Sequence, residues 1–67
     1  MKEKVYTVDE IKLLETQLAI KKVLKKNNLI YVSDDDFAVV QEILRKNDVA
    51  YSSIRNPELR INTLLIV

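Results

Sequence analysis

Leu29-Ile30-Tyr31-Val32-Ser33-Asp34-Asp35-Asp36-Phe37 reads as a strand running straight into a helix. Four β-favouring residues in succession predict a strand, central in a sheet and buried on both faces. Ser33 follows as a helix N-cap. Asp36 stands at the third helical position, the spacing of a capping box. Beyond it Phe37, Val40, Ile43 and Leu44 fall on one arc at ~100° per residue, while Gln41, Glu42, Arg45 and Lys46 fall on the other. Asn47-Asp48 ends this helix.

Upstream the same pattern occurs once more. Val5-Tyr6-Thr7 predicts a short strand with Thr7 as the cap of a helix. Glu10 completes a capping box with it, and Tyr6 and Ile11 supply a hydrophobic staple. The helix is expected from Val8 to about Lys26. Asn27-Asn28 then supplies the left-handed residue that glycine usually provides. Downstream, Val49 to Ile54 predicts a third strand. Arg55-Asn56-Pro57-Glu58 is a turn in which Pro57 keeps Asn56 out of helical space. Ile61 to Val67 predicts a fourth strand, rich in β-branched residues.

The order β-α-β-α-β-β defines the expected fold class: a small two-layer α/β (α+β) domain, residues 1–67. Two helices lie on one face of a four-stranded mixed sheet. The expected core is Val5, Ile11, Leu14, Leu18, Leu29, Ile30, Val32, Phe37, Val40, Ile43, Leu44, Val49, Tyr51, Ile61, Leu64 and Ile66. The other sheet face, with Tyr31, Tyr51 and the last strand, is left bare unless something covers it.

The first helix carries two apolar stripes. Ile11, Leu14 and Leu18 form one; Leu13, Ile20 and Leu24 form a second, about 130° away by the 3.6-residue period. A surface helix on a small sheet needs one stripe. The second, with Gln17 beside it, is therefore expected to meet a partner, most economically a second copy. The expected interface is Leu13, Gln17, Ile20 and Leu24.

Composition removes many activities. The 67 residues include no His, Cys, Gly or Trp, so thiolate and imidazole chemistry, disulfides, Cys/His metal sites and glycine-rich phosphate loops are all excluded. The chain is 48% hydrophobic, too apolar for a disordered segment. Its formal charge of +1 exerts no global pull towards nucleic acid or anionic lipid. No apolar run approaches the ~20 residues of a membrane span. A cytoplasmic protein with no membrane association is expected.

Two charge clusters remain. Asp34-Asp35-Asp36 follows a strand, where α/β folds place ligands, and carboxylates can hold Mg²⁺ beside a phosphate. The helix dipole alone also asks for acids in a first turn. No second acidic group accompanies them, so neither a metal nor a cofactor is expected. Lys21, Lys22, Lys25 and Lys26 crowd the end of the first helix, and Arg45 and Lys46 the end of the second. Parallel helices would bring these six to one edge, where they could contact a phosphate backbone. No aromatic residue is interleaved with them to stack on bases.

The element order is similar to that of the Alba family of small dimeric nucleic-acid binders. The chain has neither a Gly-Lys-Lys segment after its first strand nor a long basic hairpin, so no site residue is carried over. The function expected is therefore non-catalytic: an interaction module (a regulator, adaptor or mobile-element-type inhibitor) acting by protein–protein contact as a homodimer. The alternative is a nucleic-acid-binding dimer using the basic helix ends. No enzymatic activity is expected.

Overall fold

The computed structural model describes residues 4–67. Its elements are β1 (Val5–Tyr6), α1 (Val8–Thr16), α2 (Ile20–Asn27), β2 (Leu29–Ser33), α3 (Asp34–Lys46), β3 (Tyr51–Asn56) and β4 (Ile61–Ile66). The four strands form one mixed sheet in the order β1-β2-β4-β3. β1 runs parallel to β2, and β4 runs antiparallel to both β2 and β3. The fold is the expected small α+β domain, with three helices in place of two.

The extra helix comes from a break. The segment expected as one helix from Val8 to Lys26 divides at Gln17-Leu18-Ala19. Leu18 adopts a left-handed φ of 56°. The Leu18 N–H donates to the Glu15 carbonyl and the Ala19 N–H to the Leu14 carbonyl, the two bonds of a Schellman ending. An unbroken helix would reach about 28 Å at ~1.5 Å per residue. The break instead sets α2 on β2 and β4 and lets α1 pack on α3.

It also buries the second apolar stripe except for Leu13. Ile11 from α1 and Ile20 and Leu24 from α2 all enter one core with Ile30, Val32, Val40, Ile43, Leu44, Val49, Leu64 and Ile66. Redirecting the chain at Leu18 turns two stripes on different sides of one helix towards a common centre. Leu18 itself, expected in the core, is 92% exposed.

The first capping box forms as the spacing requires. The Glu10 N–H donates to the Thr7 hydroxyl oxygen, and the Thr7 N–H donates back to the Glu10 carboxylate. Tyr6 packs against the cluster that contains Ile11. At α3 the expected second box is absent: Ser33 is the N-cap by backbone but its side chain makes no capping bond. The Asp34 N–H is instead satisfied by the Arg60 carbonyl, 2.9 Å away in the neighbouring hairpin turn. α3 ends on a second Schellman pair, Asp48 N–H to Arg45 and Val49 N–H to Leu44, with Asp48 left-handed at φ 57°. Asn28 closes α2 with φ 43°.

β2 is central, as expected, but buried on one side only. Ile30 and Val32 face the helices; Leu29 is exposed and Tyr31 and Ser33 are half-buried on the other side. Val5 and Leu29, expected in the core, lie on that other side for the same reason: side chains alternate along a strand. Tyr51, placed by sequence both in the core and on the bare face, takes the core position. It pairs with Ile66 on the helix side and packs against the core.

Candidate interaction surface

Strand register fixes which side chains share the sheet face that the helices leave open. Directly paired residues lie on the same face. One row across the sheet is Val5, Tyr31, Thr63 and Ile54. A second is Leu29, Leu65 and Ser52; a third is Ser33, Ile61 and Asn56. None of these residues carries a charge, in a chain that is 31% charged. Ile54 is 75% exposed and Leu65 50%. The face is no more than about 400 Å² in projection, taking four strands at ~4.8 Å and six residues at ~3.3 Å. The face is uncharged and partly apolar, and its extent is within the ~300–600 Å² of the largest patch on an ordinary monomer.

The interface residues expected from sequence are not brought together. Ile20 is 4% exposed and Leu24 fully enclosed within the one chain, so neither can meet a partner. Leu13 remains 56% exposed beside a shallow depression of about 220 Å³ that Lys4, Tyr6 and Glu10 also line. Gln17 is exposed at the C-cap of α1. The readable signal for the open face was the alternation within β2 and β4, which an unbroken apolar run conceals.

The six basic residues divide. Lys21, Lys22 and Lys25 line a cavity of about 500 Å³ with an apolar floor of Val49, Ala50, Ile66 and Val67. Arg45 lines a separate groove of about 450 Å³ with Ala38, Gln41, Glu42 and Tyr51, and its guanidinium donates to Glu42. Val49 and Ala50 border both hollows. Lys26 and Lys46 are exposed and line neither.

Asp34 belongs to a network that spacing alone does not reveal. Arg55 from β3 donates to both of its oxygens, and the buried Asn62 of β4 donates to Oδ1 at 2.8 Å. The Arg55 guanidinium, with Asn62 assisting, holds the Asp34 carboxyl below the ordinary carboxylate range. This carboxylate ties the start of α3 to the hairpin. Among the described residues no three acidic side chains gather as metal ligands.

A second network ties β1 to the helices. Lys4 pairs with Glu10 and sits 5.1 Å from the centroid of the Tyr6 ring. Asn27 at the end of α2 donates to the Tyr6 hydroxyl at 3.0 Å. Asn47 joins the ends of α1 and α3, donating to Glu15 and to the Ile43 carbonyl, both at 2.8 Å.

Fold and surface define a class: a small two-layer α+β domain whose mixed sheet is covered by helices on one side only. Comparison with protein-family models, curated proteins and solved structures finds no match to this chain. The similarity of element order to Alba proteins is thus unaccompanied by a family match. No helix among the described residues is long and apolar enough to cross a membrane.

Proposed function

We propose that this protein is a non-catalytic interaction module, a homodimer, that acts by protein–protein contact and meets its protein partner through the open sheet face. The observation that carries the reading is the absence of charge from that face. A charged ligand would find no counter-ion among Val5, Leu29, Tyr31, Ser33, Ser52, Ile54, Asn56, Ile61, Thr63 and Leu65. A protein surface that is itself apolar and uncharged loses little on desolvation there and gains buried area. The cytoplasm is the proposed compartment; the absence of cysteine leaves the redox compartment unspecified.

Solution mass from micromolar to millimolar concentration tests the self-association. A dimer fraction rising with concentration is expected. A strict monomer throughout would remove the homodimer.

A second reading rests on the convergence of Lys21, Lys22 and Lys25 around one cavity. With Lys26, Arg45 and Lys46 as further contacts outside that cavity, the dimer would bind nucleic acid through phosphates. Affinity would then fall log-linearly with salt, with a slope of about −0.9 per phosphate neutralised on duplex DNA. No binding to mixed duplex or single strands at low salt ends this reading.

A further inference from the structure

The two edges of the sheet are unequal. Edge strands attract other strands, and proteins blunt them by shortness, proline, lysine or bulges. β1 is protected by being two residues long. β3 has six residues, Tyr51-Ser52-Ser53-Ile54-Arg55-Asn56, with no proline and no lysine. Its register with β4 runs without a skip from Tyr51 opposite Ile66 to Asn56 opposite Ile61, so there is no bulge. Its one charge, Arg55, is held by Asp34. Every residue of β3 after the half-buried Tyr51 is exposed.

The ladder shows which backbone groups of β3 point outward. The Val67 N–H donates to the Ala50 carbonyl. By antiparallel alternation, Ser52, Ile54 and Asn56 then bond inward to β4. The N–H and C=O groups of Tyr51, Ser53 and Arg55 are directed to the open edge. A groove lined by Ala38, Gln41 and Tyr51 separates α3 from the start of β3.

We infer that a second copy of this chain adds antiparallel to β3, on a two-fold axis through Ser53, to make one eight-stranded sheet. This rests on the homodimer reading above. In that register Ser53 faces its own counterpart, and Tyr51 of each copy faces Arg55 of the other. These pairs use all three outward residues of each strand and form six backbone hydrogen bonds. Centring on Tyr51 or Arg55 instead brings Val49 or Pro57 opposite Ser53 and loses bonds. The pairing places like faces together, so the helices of both copies lie on one side. The two uncharged faces then join into one. A single face projects no more than about 400 Å², and joining two of them doubles the uncharged surface offered to a partner.

A chain free of native cysteine permits a direct test by single substitutions. Ser53→Cys should cross-link to itself under mild oxidation, since a hydrogen-bonded antiparallel pair has Cα atoms ~5.5 Å apart, within disulfide reach. Leu65→Cys on the open face and Leu13→Cys on α1 should stay uncross-linked. The inference is overturned if the Ser53 variant remains monomeric under oxidation while the wild type is dimeric by mass. Cross-linking through Leu65 or Leu13 alone would likewise overturn it, yet leave the homodimer standing. A monomeric wild type would remove both. Far-UV circular dichroism of each variant confirms that it is folded.

Discussion

The Arg55 guanidinium grips the Asp34 carboxylate with two nitrogens, Nη2 at 2.7 Å from Oδ2 and Nε at 3.2 Å from Oδ1. The pair joins an edge strand to the first residue of α3, the helix that directly precedes it in sequence. A bidentate guanidinium–carboxylate pair is the strong form of this contact.

Its pH signature follows from the direction of the shift. Asp34 is held below its unfolded value of ~3.9, so its stabilising effect is complete above that pH and disappears as pH falls through the lower folded value. Glu10 behaves alike, lowered chiefly by its hydrogen bond from Lys4, against an unfolded value of ~4.3. Urea midpoints should therefore be level from neutral pH down to about 5 and decline below it. Asp34→Asn should flatten part of the decline, and Asp34→Asn with Glu10→Gln more. An equally steep decline in the double variant would show that other groups govern acid unfolding.

Leu18 and Leu24 make a paired test of the helix break. Leu24 is fully enclosed, and Leu24→Ala should cost about 2–5 kcal/mol, enough to unfold much of a domain this small. Leu18 is almost wholly exposed and left-handed. Leu18→Gly relieves a backbone penalty of about 1–2 kcal/mol, offset in part by chain entropy. A rise in denaturation midpoint is expected, and a fall would mean that α1 and α2 are one continuous helix.

The two helix caps should respond differently. Thr7→Ala removes a bonded cap and should cost about 1 kcal/mol. Ser33 caps nothing with its side chain, and Ser33→Ala should be close to neutral by chemical denaturation.

Charge placed on the open face should abolish contact without unfolding the chain. Ile54→Glu with Leu65→Glu should leave the urea midpoint within about 0.5 kcal/mol of wild type, as surface changes usually do. Binding of a hydrophobic-surface dye should drop sharply. Undiminished dye binding would place the accessible apolar surface elsewhere.

Much of the fold was legible because its signals are local. Thr7 with Glu10, Asn28, and the arc from Phe37 to Leu44 each announce structure within a few residues. The break at Leu18 was not legible. Gln17-Leu18-Ala19 is good helix sequence, and the break is matched only by distant packing, in which Ile11, Ile20 and Leu24 reach one core. The Asp34–Arg55–Asn62 network was hidden for a related reason: its partners lie 21 and 28 positions from Asp34. The candidate face was foreseen as bare sheet, but Ile20 and Leu24 were misassigned as surface because a wheel assumes one straight axis.

The insertion of β4 between β2 and β3 has a consequence for how the chain reaches its native state. The final strand joins halves of the sheet that do not otherwise touch. A ribosome that has released everything up to Arg60 has therefore delivered a β2 with a vacant flank and a β3 with no neighbour at all. The sheet should close in one step once β4 is available rather than strand by strand. During synthesis the waiting β3 segment is the place where a chaperone, or a neighbouring nascent chain, would first take hold.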